Sequence, residues 1–192
     1  MSRLLETTPS QTVGPFFAIG LPWTGGNTLV SPETLGERIE IRGQVLDGDG
    51  LPVIDALVEI WQANAAGKYA HPEDRREDAL VDPAFLGFGR CATDADGQYR
   101  FYTIRPGAVP APGGRMQAPH IMLIVFARGL LQKLITRVYF ESTPENAGDP
   151  ILGLVDATRR ERLIARTEPA GAAVYRFNIV LQGEDESVFF AF

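Results

Sequence analysis

Two apolar runs past the middle of the chain set the pattern. Residues 121–127 (IMLIVFA) are apolar, partly β-branched, and bounded by Pro119 and by Arg128-Gly129, which predicts a buried strand. A second run at 134–140 (LITRVYF) follows a short turn and is expected to pair with it. From Arg38 the chain alternates instead: Ile39, Ile41 and Val45 interleave with Arg38, Glu40, Arg42 and Gln44, the period of a half-buried strand. Residues 56–63 (ALVEIWQA) predict another, with Leu57, Glu59 and Trp61 on one face and Val58 and Ile60 on the other. Further strands are expected over 89–94, 98–104 and 173–182. An Asp96-Gly97 pair between the first two of these predicts a hairpin.

Between the strands the chemistry is that of turns and loops. Asp47-Gly48-Asp49-Gly50 and Asn64-Ala65-Ala66-Gly67 end two of them. Residues 70–87 carry no period and read as a long surface excursion; 105–117 hold three prolines and three glycines; 143–153 form another loop. Residues 156–165 are the best helical stretch, and a short one. Residues 1–36, rich in Pro, Gly, Ser and Thr, read as an ordered N-terminal arm, because Phe16 and Phe17 favour a docking surface over water. That surface is either the chain's own body or a partner. The expected fold is all-β: a β-sandwich of mostly antiparallel strands with long loops, the arm, and at most one short helix, with 37–192 as a single domain. A closed barrel is the alternative.

Composition narrows the class. With 192 residues, 45% apolar and 22% charged, the chain suits one globular domain. A net charge of −6 leaves no basic stripe for nucleic acid. The longest apolar run is too short to cross a bilayer, and residues 1–11 lack the apolar centre of a secretory signal. The lone Cys91 cannot form an internal disulfide, so a cytoplasmic location is expected.

Candidate chemistry is sparse. His120 lies inside an apolar strand, where a satisfied buried imidazole is more common than a ligand. Met122 on the same face reads as core filler, Trp61 as core, Cys91 as an inert core thiol, and His71 with 72–78 as a solvated loop face. Asp94-x-Asp96-Gly97 is a hairpin turn and lacks the other ligands of a calcium loop. The apolar tail 188–192 either pairs as an edge strand or meets a partner. No activity follows from these residues alone.

Several strings taken in order are similar to the intradiol ring-cleavage dioxygenases: 43–53 (GQVLDGDGLPV), 56–64 (ALVEIWQAN), 67–69 (GKY), 89–94 (GRCATD), 96–101 (DGQYRF), 103–107 (TIRPG), Pro119-His120-Ile121, and 134–141 (LITRVYFE). The likeness runs from about Thr8 to the C-terminal strand. It implies a ferric ion held by two tyrosines and a His-x-His, with an arginine just before that motif steadying the substrate. Carried over position by position, Tyr69 matches the first tyrosine and His120 the first histidine. Val109 stands where the second tyrosine belongs, Met122 replaces the second histidine, and Gln117 replaces the arginine. Two ligands of four are missing, so the five positions read as relics of a degenerate metal site and no metal is expected here.

One branch of that family assembles from two similar chains, one binding Fe(III) and the other with a degenerate site. This sequence resembles the second. The resemblance implies a hetero-oligomer with an iron-bearing sister chain, and an N-terminal arm whose Thr12, Gly14 and Pro15 border that chain's pocket and its aromatic acid substrate. Two other readings stay open: an active homo-oligomeric dioxygenase recruiting Tyr99, Tyr102 or His71 as ligands, and a non-enzymatic β-sandwich binding module.

Overall fold

The computed structural model describes residues 7–14, 16–169 and 173–191. Eleven strand segments carry the fold: β1 (Arg38–Leu46), β2 (Leu57–Trp61), β3 (Phe88–Ala92), β4 (Gln98–Ile104), β5 (Val109–Pro110), β6 (Met116–Gln117), β7 (His120–Phe126), β8 (Leu134–Phe140), β9 (Ile164–Thr167), β10 (Val174–Arg176) and β11 (Ile179–Val180). A four-residue helix, α1 (Phe17–Gly20), the one α-helix among the described residues, precedes them. Six strand pairings are antiparallel and three parallel, so the sandwich is mostly antiparallel, as expected.

One sheet sets β4 antiparallel to β1, with β10 and β11 lying parallel along the other edge of β1. The second runs β9-β8-β7-β2-β3. The two meet at β9, whose Ile164 and Ala165 pair with Tyr139 and Phe140 of β8, and whose Arg166 and Thr167 pair with β10. A strand that changes sheets in mid-course makes a corner of the sandwich. At the opposite side, residues 26–29 lace the free edges: Gly26 O accepts from Arg90 N (2.8 Å), Asn27 O from Tyr102 N (2.9 Å), and Leu29 N donates to Tyr102 O (2.8 Å). That covers two strand edges that would otherwise be open to other chains.

The core follows from the alternation. Ile39, Ile41 and Val45 of β1 and Tyr99 and Phe101 of β4 meet Val58 and Ile60 of β2, Ile121, Leu123 and Val125 of β7, and Val138 and Phe140 of β8. The opposite residues of β2, β7 and β8 therefore form an outer face, on which Trp61, Met122 and Arg137 stand side by side, as do His120 and Tyr139. The functional residues lie on this face.

Four expectations change. Residues 156–165 are not a helix: a 3-10 turn at Arg160–Leu163 leads straight into β9, whose pairings to two sheets outweigh a short helix. The turn at Asp94–Gly97 forms, with Asp94 Oδ1 accepting from Asp96 N (2.9 Å) and Gln98 N (2.8 Å), yet β3 pairs with β2 and β4 with β1, so it links the sheets instead of closing a hairpin. The loop over 105–117 contains the small β5–β6 ribbon. Residues 173–182 are broken at Phe177–Asn178, where Phe177 O accepts the Tyr99 hydroxyl (2.6 Å). The tail packs on its own chain: Val188 is buried, and Phe190 N donates to Ile135 O (2.8 Å).

Candidate functional site

A cleft of about 770 Å³ opens on the outer face, lined by Trp61 at the end of β2, Tyr69 from the following loop, Val109 and Pro110 of β5, and Gln117 of β6. Tyr69 stacks on Trp61 at 5.8 Å and 11°. Its loop is held by Asp74, whose carboxylate accepts Tyr69 N (2.9 Å) and both Nε (2.8 Å) and Nη2 (2.6 Å) of Arg76. The buried Lys68 adds an ion pair to Asp74 at 3.4 Å. Hydrogen bonds from Arg76 hold the Asp74 carboxyl well below the usual carboxylate range. Gly67 takes a φ of +74°, and a β-carbon there would lie 2.0 Å from Ala108 O, so only glycine lets the Tyr69 loop close on β5.

His120 starts β7, opposite Tyr139 of β8, and is buried. Its Nδ1 donates to Ala118 O at 2.7 Å, which leaves Nε2 as the lone-pair nitrogen. Burial, helped by the nearby charge of Arg137, lowers its pKa to about 4, so the ring is neutral at pH 7. Burial pushes the Tyr69 phenol up, only partly offset by Arg137. The Tyr69 hydroxyl and His120 Nε2 have no hydrogen-bond partner among the described residues.

Sequence reasoning passed over Arg137, which stands opposite Met122 on β8 and is only 7% exposed. Its Nη1 donates to Gln117 Oε1 (2.7 Å) and to the Tyr139 hydroxyl (3.4 Å). That hydroxyl donates to Asp149 Oδ1 (3.1 Å), and Asp149 also accepts the N–H groups of Ala118 (2.7 Å), Ile151 (2.8 Å) and Leu152 (2.7 Å). The one signal in the sequence was a lone charge inside the run 134–140. Trp61, expected in the core, is instead a cleft wall, and His71, on the loop rim, meets its ring edge-on at 6.3 Å.

The structure thus brings Tyr69, Val109 and Gln117 into one cleft, leaves His120 buried outside its lining, and sets Met122 against Trp61. A ferric ion does not fit this set. Val109 is buried and offers no donor atom, Met122 offers a soft thioether, and the guanidinium of Arg137 adds a fixed positive charge where a trivalent cation would need anions. No cluster of three or more His, Cys, Asp or Glu side chains able to hold a metal occurs among the described residues. Nor does an alternative ligand set assemble: Tyr99 is a core residue bonded to Phe177 O, and Tyr102 lies on β4 in the other sheet, away from His71. Cys91 is packed against the core, and burial pushes its thiol up.

The arm residues lie elsewhere. Thr12 Oγ1 accepts Gly129 N at 2.8 Å, fixing the arm to the turn after β7, the end of that strand opposite His120. Gly14 has open space where a side chain would go. Pro15 lies outside the described residues.

The family model described as "Dioxygenase" matches residues 13–183, and the chain is a member of this intradiol dioxygenase family. It is 43% identical over 200 residues to the protocatechuate 3,4-dioxygenase alpha chain of Burkholderia cepacia, covering 97% of this chain and 98% of that one. It is also 46% identical over 166 residues to the protocatechuate 3,4-dioxygenase beta chain of the same organism, covering 83% of this chain and 70% of that one. Among solved structures it is similar to the dioxygenase domain of a dioxygenase–carbohydrate-binding fusion from Streptomyces sp. SirexAA-E, with TM-score 0.61 and 27% identity over 82% of this chain and 87% of that one.

Proposed function

We propose that this chain is the non-iron alpha subunit of a protocatechuate 3,4-dioxygenase, paired with an iron-bearing beta chain. The complex cleaves 3,4-dihydroxybenzoate between its two hydroxylated carbons with O2, giving 3-carboxy-cis,cis-muconate. End-to-end similarity to an alpha chain supports the assignment, while the likeness to a beta chain is partial. The observation that carries it is the donor set. Val109 and Met122 cannot hold a hard cation, and Arg137 supplies a positive charge of its own beside Tyr69 and His120. Ring cleavage belongs to the partner chain, and the isolated alpha chain is inactive.

The chain's own part is to build the assembly and border the partner's pocket. Thr12 anchors the arm on Gly129, so the residues after it start from a fixed point. Gly14, followed in sequence by Pro15, then allows close backbone approach to an aromatic acid. Cys91 as a free thiol suits a reducing compartment, and we assign the complex to the cytoplasm.

The test is to produce the chain alone and together with its beta chain, then assay iron content, the visible absorption of tyrosinate bound to iron, and ring cleavage. The expected result is a colourless, iron-free, inactive single chain and a coloured, active complex. Stoichiometric iron and turnover in the single chain would overturn the reading.

A further inference from the structure

The N-terminal arm is held at two places, with a bare span between them. At the first, Thr12 Oγ1 accepts Gly129 N at 2.8 Å, and Val13 lines a small groove with Phe126, Leu130 and Leu131 beside that turn. Helix α1 follows and buries none of its residues: Phe16 is 78% exposed and Ile19 77%. The main-chain hydrogen bonds described for 14–21 stay within the segment, from Phe17 N to Gly14 O at 3.3 Å and from Leu21 N to Phe17 O at 3.1 Å. A span so little buried keeps one course only if both of its ends are fixed.

The second hold is Arg90. It stands opposite Glu59 in the β2–β3 ladder, on the outer face of the sheet. Glu59 Oε1 takes its Nε at 2.7 Å and its Nη2 at 2.5 Å, which leaves Nη1 to donate to Leu21 O at 3.0 Å. The guanidinium carbon lies 5.3 Å from the centre of the Trp23 ring and 5.7 Å from that of Phe88, and those two rings stack at 6.1 Å. The Arg90 main-chain N–H donates to Gly26 O at 2.8 Å. That backbone bond is enough to cover the edge of β3. The side chain does something further: it grips residues 21 and 23, where the bare span ends.

We propose that Arg90, aimed by Glu59, is a positioning residue for ring cleavage. It fixes the far end of the arm and so sets where Gly14 stands at the partner chain's pocket. The proposal rests on the assignment of this chain as an alpha subunit. Arg90 acts through the arm and touches no substrate, so its loss moves substrate affinity and leaves the chemical step alone.

Two variants loosen this hold from opposite sides. Arg90→Lys keeps the charge facing Glu59 and the backbone bond to Gly26, but one ammonium cannot serve Glu59 and Leu21 O together as a fork does. Trp23→Leu leaves the Arg90–Glu59 pair intact, and it decides should Arg90→Lys not fold. In the isolated chain each is expected to speed chymotrypsin cleavage after Phe16 or Phe17 by about tenfold. In the assembled complex each is expected to raise KM for 3,4-dihydroxybenzoate about threefold with kcat within about twofold of the wild type. The double variant is expected to do no more than either single one, because both release the same contact. Unchanged arm cleavage would overturn the hold. Unchanged KM in an assembled complex, or a loss confined to kcat, would overturn the positioning role and leave the alpha-subunit assignment standing. Two chains that never form an active complex would overturn that assignment and the proposal together.

Discussion

The imidazole of His120 is held neutral by burial and by Arg137, and this fixes the sign of one pH effect. Its pKa falls from 6.5 in the unfolded chain to about 4 in the folded one, so the unfolded state takes up the proton first as pH drops. The contribution to stability is fully present above about pH 6.5 and is lost progressively down to pH 4, amounting to roughly 3 kcal/mol. Denaturation midpoints measured between pH 7 and 4 should show this slope, and His120→Gln should flatten it. At Gly14, where a side chain meets open space, Gly14→Val should change the chain's own stability by less than about 0.5 kcal/mol. In the complex it should raise KM for 3,4-dihydroxybenzoate by about fivefold with kcat nearly constant. An unchanged KM in a correctly assembled complex would remove the arm from the pocket. Tyr69 and His120 were legible because each sits inside a recognisable string, and Val109, Gln117 and Met122 because each lies within two residues of one. Arg137 and Asp149 were not. The first is a single charge in an apolar run, and the second reaches Ala118 only through the tertiary fold.

Among elements, the strands were read well where one face is buried and the other is not, because period-two alternation then leaves a trace; β1 shows it at every position from Ile39 to Leu46. Partner choice was less legible. Asp96-Gly97 specifies a turn, yet nothing local says that β3 and β4 join different sheets. Residues 159–162 offer a helix a polar face, and only the corner made by β9 explains why the helix is absent. Two substitutions test how β1, β4 and the β10–β11 segment are joined. A β-carbon at Gly43 would lie 1.7 Å from Phe177 O, so Gly43→Ala should cost about 3 kcal/mol or more in urea unfolding, as the strand must move. Tyr99→Phe, which leaves Phe177 O without its buried donor, should cost about 1–3 kcal/mol. Little change in both would mean that the break at Phe177–Asn178 is held by other contacts.

For the whole molecule, the C-terminal third closes the sandwich. Strand β10 sets Val174 beside Glu40 of β1, while β7 and β8 pair across a turn of a few residues. Near-neighbour pairing needs little loop closure, whereas joining the first strand to the tenth must await almost the entire chain. A nascent chain leaving the ribosome therefore leaves one edge of β1 unpaired until residues 174–180 emerge. Refolding followed by pulsed hydrogen exchange should protect the amides of 120–140 before those of 38–46. Chains halted before residue 164 should be chaperone-bound and protease-sensitive, and early arrival of a sister subunit would find no finished surface to meet.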